Sequence, residues 1–148
     1  MKEAIKEAKL GSQKEEGGPF GCIIVKKNKI IGRGHSEVLL QNDPTCHGEM
    51  MAIRDACRKE KTNDLSGAVL YTTGEPCPMC LGAILWANID KVYYGCSIED
   101  TNKIGFRDKD FYEYLKTRDE NILSLKELEK EECLKLYEQY QEENHKRY

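Results

Sequence analysis

The chain has 148 residues, 39% of them hydrophobic, and a formal net charge of −3 at neutral pH. That length suits one compact domain, residues 1–148, with room for a real core and little for a second, and no apolar run is long enough to argue for a membrane span. The charge argues against a nucleic-acid ligand, which asks for a basic face to neutralise phosphates; here the carboxyl-terminal third alternates Lys with Glu.

Residues 1–6 are charged and lack the apolar stretch of a secretion signal, which gives a cytoplasmic expectation. Residues 2–16 are rich in Ala, Lys and Glu and read as a helix, ended by Gly17-Gly18-Pro19. Cys22-Ile23-Ile24-Val25 and Ile30-Ile31 flank a polar Lys26-Lys27-Asn28-Lys29, the pattern of a hairpin. Asn42-Asp43-Pro44-Thr45 is a helix-start signal, with Asp43 or Thr45 as cap, and helical spacing continues to about Lys59. A buried strand is predicted over 68–73, a short apolar helix from Pro78 to about Ala87, and a strand over 91–95. Ser97 to Arg107 reads as loop, 110–115 as a short helix, Ile122-Leu123 as a last strand, and 125–141 as a charged amphipathic helix followed by a tail. Strands alternating with helices imply a sheet covered on both faces, with at least one parallel pairing.

Seven cysteines are many for such a chain, and their number is odd. A disulfide framework would leave one over, so metal ligation is the leading explanation for some of them. His47 falls at the start of the second long helix, and Cys77-Pro78-Met79-Cys80 is a C-x-x-C at the start of the next. Free amide N–H groups and the positive end of a helix dipole favour thiolate there. Two thiolates and one neutral imidazole would neutralise Zn²⁺ and leave a fourth position open, the pattern of catalytic rather than structural zinc. Glu49 is then free to act as acid and base. C-x-x-C alone is more often a structural half-site or a redox pair, and His-x-Glu alone says little. Together, in this order and about thirty residues apart, they form a zinc-deaminase signature. Cys46, Cys57, Cys96 and Cys133 are expected to be buried or bystander thiols.

At these residues the chain resembles the cytidine-deaminase-like superfamily, and most closely its bacterial guanine deaminase branch. The likeness runs through Gly17-Gly18-Pro19-Phe20-Gly21, Asn42-Asp43-Pro44-Thr45, His47-Gly48-Glu49, Glu75-Pro76-Cys77-Pro78-Met79-Cys80 and Gly105-Phe106-Arg107-Asp108. The first four are shared, with variations, by tRNA adenosine deaminases and fungal cytosine deaminases. The resemblance implies an α/β fold, a three-layer α/β/α sandwich around a five-stranded mixed sheet. It also implies hydrolysis of guanine to xanthine and ammonia, with His47, Cys77 and Cys80 holding Zn²⁺ and Glu49 carrying protons. Phe20 would stack on the base, Gly48 would face it through its backbone N–H, Trp86 would line the pocket, and Asp108 would accept from the N–H groups of guanine. In that branch the tail crosses to a partner subunit, so Tyr148 would act in trans within a homodimer. Ser36 stands where the family commonly has Asn, and Gly48 where His-Ala-Glu is usual. Cytosine or another amino-heterocycle, adenosine in tRNA, and a zinc-stabilised binding module stay open as alternatives.

Overall fold

The computed structural model describes residues 1–143 and 146–148. In chain order it contains α1 (Lys2–Gln13), β1 (Gly21–Lys26), β2 (Lys29–His35), α2 (Val38–Gln41), α3 (Gly48–Glu60), β3 (Val69–Gly74), α4 (Pro78–Trp86), β4 (Lys91–Cys96), α5 (Ile98–Lys103), α6 (Asp108–Thr117) and α7 (Lys130–Glu142). The chain forms two compact units, Met1–Glu113 and Tyr114–Tyr148. The first holds the sheet; the second holds α7 and the terminal tail.

The β1–β2 hairpin turns on Lys27 and Asn28, whose φ angles of 49° and 61° are both left-handed. Two positive φ values make the tight turn whose twist matches the flanking strands. β1 pairs antiparallel with β2 on one side and β3 on the other, while β3 and β4 run parallel through the α4 crossover. The order is β2-β1-β3-β4. α1 covers one face: a Cβ on Gly21 would strike the backbone of Ala4 and Ala8, so only glycine lets α1 sit this close. The alternate residues Cys22 and Ile24 point the other way and join Ala52, Ile53 and Ala56 of α3 and Ile84 of α4 in the main core. Helices on both faces of a mixed sheet give the three expected layers.

The sheet has four strands among the described residues, not the five the resemblance implies. The expected last strand, Ile122-Leu123, is a turn. The Asp119 carboxylate accepts from the Asn121 backbone and side chain at 2.9 Å each, and the Ile122 and Leu123 N–H groups donate to Asp119 O. An acidic side chain that satisfies local donors competes with a strand ladder. The stretch read as loop after Ser97 contains α5, closed by a capping box in which Ser97 and Asp100 each accept the other's backbone N–H. Asp43 does not cap α3. It accepts from Thr45 N–H at 2.8 Å and Thr45 Oγ1 at 2.7 Å in a turn ahead of the helix, and His47 is the N-cap residue.

Candidate active site

Two helix N-termini build the site. His47 is the N-cap of α3 and Cys77 the N-cap of α4, both in extended backbone, with Pro78 in the first turn of α4. Proline suits that position because its missing N–H has no intrahelical partner there. His47 Nδ1 and Cys77 Sγ stand 3.7 Å apart, and the donor atoms of His47, Cys77 and Cys80 all lie within 4.8 Å of one another. Tetrahedral zinc with its usual bond lengths separates neighbouring N and S donors by roughly 3.6 Å, so this donor set fits the ion. It supplies one imidazole and two sulfurs and leaves a fourth position unclaimed among the described residues.

The local electrostatics favour anionic sulfur. A hydrogen bond from the Cys80 thiol, with further help from His47 and the Cys80 backbone N–H, holds Cys77 well below the usual thiol range against the effect of burial. Cys80, which donates that bond and is itself buried beside Glu49, is pushed up. A bound cation removes this asymmetry, because a coordinating thiol loses its proton outright.

Glu49, in the first turn of α3, is 5% exposed. One carboxylate oxygen accepts from Thr72 Oγ1 at 2.7 Å and the other from Cys80 Sγ at 3.4 Å. Burial raises its pKa, partly offset by the Thr72 bond. Thr72 reaches Glu49 because it sits opposite Cys22 in the β1–β3 ladder, on the sheet face that α3 covers. Strand alternation alone does not announce that contact.

His47, Cys77 and Glu49 open into a cavity of about 460 Å³, within the range of small-molecule sites. The structure brings Phe20, Ser36 and Asp108 to the same cavity. Phe20 meets Phe106 edge to face, ring centroids 4.8 Å apart. Ser36 is buried and donates its N–H to Phe20 O at 2.9 Å. Asp108, the first residue of α6, is raised in pKa by burial and then by the negative charge of Cys77. Gly48 packs under Phe20 O without lining the cavity. Trp86 is not brought there: it is 70% exposed, near the end of α4. Tyr148 belongs to the second unit and is 87% exposed. Sequence reasoning missed Leu39, Glu75 and Phe111, which also line the cavity. It also missed Tyr112, whose hydroxyl donates to Pro76 O at 2.6 Å. Glu75 carried a signal through its place in the Glu75-Pro76-Cys77 segment, as did Phe106, Arg107, Gly17, Gly18 and Pro44 through theirs.

A two-cysteine, one-histidine centre at converging helix starts beneath a mixed sheet defines a class of hydrolytic zinc deaminases. Residues 1–96 match the cytidine and deoxycytidylate deaminase zinc-binding region, and the chain belongs to that family. It is 45% identical over 112 residues to a guanine deaminase of Bacillus subtilis, covering 76% of this chain and 72% of that one. It is 38% identical over 136 residues to a tRNA-specific adenosine deaminase of Buchnera aphidicola, covering 92% and 87%. The crystal structure of guanine deaminase from Bacillus subtilis superposes with a TM-score of 0.93 over 99% of this chain and 95% of that one, at 38% identity. No helix among the described residues is long and apolar enough to cross a membrane.

Proposed function

We propose that this chain hydrolyses guanine to xanthine and ammonia, with Glu49 carrying protons and Asp108 recognising the base. The observation that carries the reading is the place of Glu49: beside the donor set, 3.4 Å from Cys80 Sγ, and anchored from behind by Thr72. A structural metal site has no use for such a carboxylate. Zinc held by His47, Cys77 and Cys80 supplies a Lewis acid that brings the pKa of water towards about 7.

Glu49 accepts a proton from the attacking water, whose oxygen bonds to the ring carbon bearing the exocyclic amine. The same carboxyl passes that proton to the ring nitrogen, then takes the proton of the new hydroxyl and delivers it to the departing amine. The C–N bond breaks and the nitrogen leaves as ammonia. A carboxyl raised by burial exchanges protons near neutrality more readily than an exposed one. Asp108 suits guanine because the ring N–H and amino group both donate, and a half-buried carboxylate left unpaired by another base costs affinity. Phe20 offers a ring face or edge to the purine and the Ser36 hydroxyl adds a short-range polar contact, while Gly48, packed under Phe20 O, and Trp86 are assigned none. The cavity lining has one guanidinium, Arg107, and no lysine, which suits a free base better than a phosphate-rich RNA.

The same reading takes the protein as a cytoplasmic homodimer in which Tyr148 closes the partner's cavity. Its support is that α7 buries none of its residues, and a helix that short is marginal without a covering surface. The test is ammonia release from free bases and nucleosides and from a tRNA anticodon stem, with zinc measured on the same sample. Guanine is expected to lead the panel. A higher kcat/KM on cytosine or on tRNA adenosine overturns the substrate.

A further inference from the structure

We propose that His35 is a positioning residue of this cavity: held as an imidazolium between Glu7 and Glu16, it binds α1 and the Glu16-Gly17-Gly18 turn to the end of β2 and so fixes one wall. Its Nδ1 lies 3.1 Å from Glu7 Oε2 and its Nε2 lies 2.6 Å from Glu16 Oε2. A neutral imidazole has one N–H and one lone pair, whereas two carboxylates only accept. Both bonds exist together only when both ring nitrogens donate, so the clamp itself demands the charged ring.

The surroundings supply the balancing charges. Glu7 Oε1 faces Arg33 Nη1 at 3.3 Å, and Glu3 faces the same guanidinium at 3.3 Å. Lys14 approaches Glu16 at 3.9 Å. From the α3 side, Asp55 accepts from the Arg33 backbone N–H, and Arg54 and Arg58 border the same shallow hollow together with Glu37 ahead of α2. Burial pulls the His35 pKa down, but the Glu16 and Glu7 bonds outweigh it and leave it above 6.5.

The clamp reaches the cavity through its immediate neighbours. Gly17 and Gly18 follow Glu16 and line the cavity, as does Ser36, the residue after His35. Gly17 packs so closely on Ser36 that a Cβ there would strike its carbonyl and hydroxyl. The carbonyl of Glu16 accepts from Leu39 and Leu40 at 3.0 and 3.1 Å, which carries the restraint to the α2 side of the wall. As pH rises through the folded-state pKa, one N–H is lost and a ring lone pair comes to face a carboxylate. The clamp is therefore complete below about pH 6.5 and opens on the alkaline side.

Two measurements on the full-length zinc-loaded chain test this. The first is the NMR titration of the His35 ring, assigned by loss of its signal in His35→Gln; it is independent of the substrate. A pKa above 6.5 is expected, and one at or below it overturns the proposal. The second rests on the deaminase reading: KM for guanine against pH. KM should rise about tenfold across the His35 titration, the loss of one charge-assisted bond, with little change in kcat or zinc content. In Glu16→Gln the new amide can donate to a neutral imidazole, so that KM profile should flatten. A flat wild-type profile, or an unaltered one in Glu16→Gln, overturns the positioning role. A chain that releases no ammonia from guanine refutes the substrate and leaves the NMR result to decide the clamp.

Discussion

Glu49 shows how much one side chain depends on being buried and bonded at once. Its carboxylate would carry a heavy desolvation cost without partners, and Thr72 supplies one that persists when Cys80 is a metal-bound thiolate. Glu49→Gln keeps the shape and an acceptor for Thr72 but removes the titrating proton. Zinc content and melting temperature should stay within error of the parent, while kcat falls by about 10²- to 10⁴-fold; near-normal turnover would refute the proton-carrying role. Asp108 is set differently, by its place at the start of α6 rather than by hydrogen bonds from its neighbours. Asp108→Ala should raise KM for guanine far more than it lowers bound zinc, and an equal loss of both would mark a structural carboxylate.

Among the elements, α6 owes its placement to few contacts. Tyr112 lies one turn after Asp108 and so on the same helix face, and its hydroxyl bonds the carbonyl just ahead of Cys77. Tyr112→Phe removes only that bond, worth about 1 kcal/mol. Faster amide exchange over residues 105–113 and a roughly fivefold higher KM are expected, with zinc retained. Unchanged exchange would show that α6 is held elsewhere. Tyr112 also illustrates what a sequence withholds. His47, Cys77, Cys80 and Glu49 were legible because helix starts and ligand spacing are local features. The hairpin was legible because its turn chemistry and alternation agree. Thr72, His35 and Tyr112 act across long sequence separations, and nothing near them in the chain marks their partners. The fifth strand failed for the opposite reason, since Asp119 offered its own backbone a local alternative. α5 was missed although its Ser97-x-x-Asp100 box was in plain view.

For the whole molecule, the terminal unit raises the question of assembly. Leu134, Leu136, Tyr137 and Tyr140 of α7 are each more than two-fifths exposed, an apolar set that a lone helix would not keep in water. Sedimentation should report a dimer. A chain cut after residue 143 should keep fold and dimer but lose most of its turnover, and normal turnover would remove Tyr148 from the reaction.

Because His47 and Cys77 each begin a helix, and both helices are wedged into one shared core through Ala52, Ala56 and Ile84, the spacing of the metal's donors is a property of interior packing. A methyl group added or shaved deep under the sheet would therefore register first as altered metal retention, long before the fold gave way. Conversely, an occupied site ties α3 to α4 and lends its binding energy to the folded form. In this protein the cation and the interior are two ends of one lever.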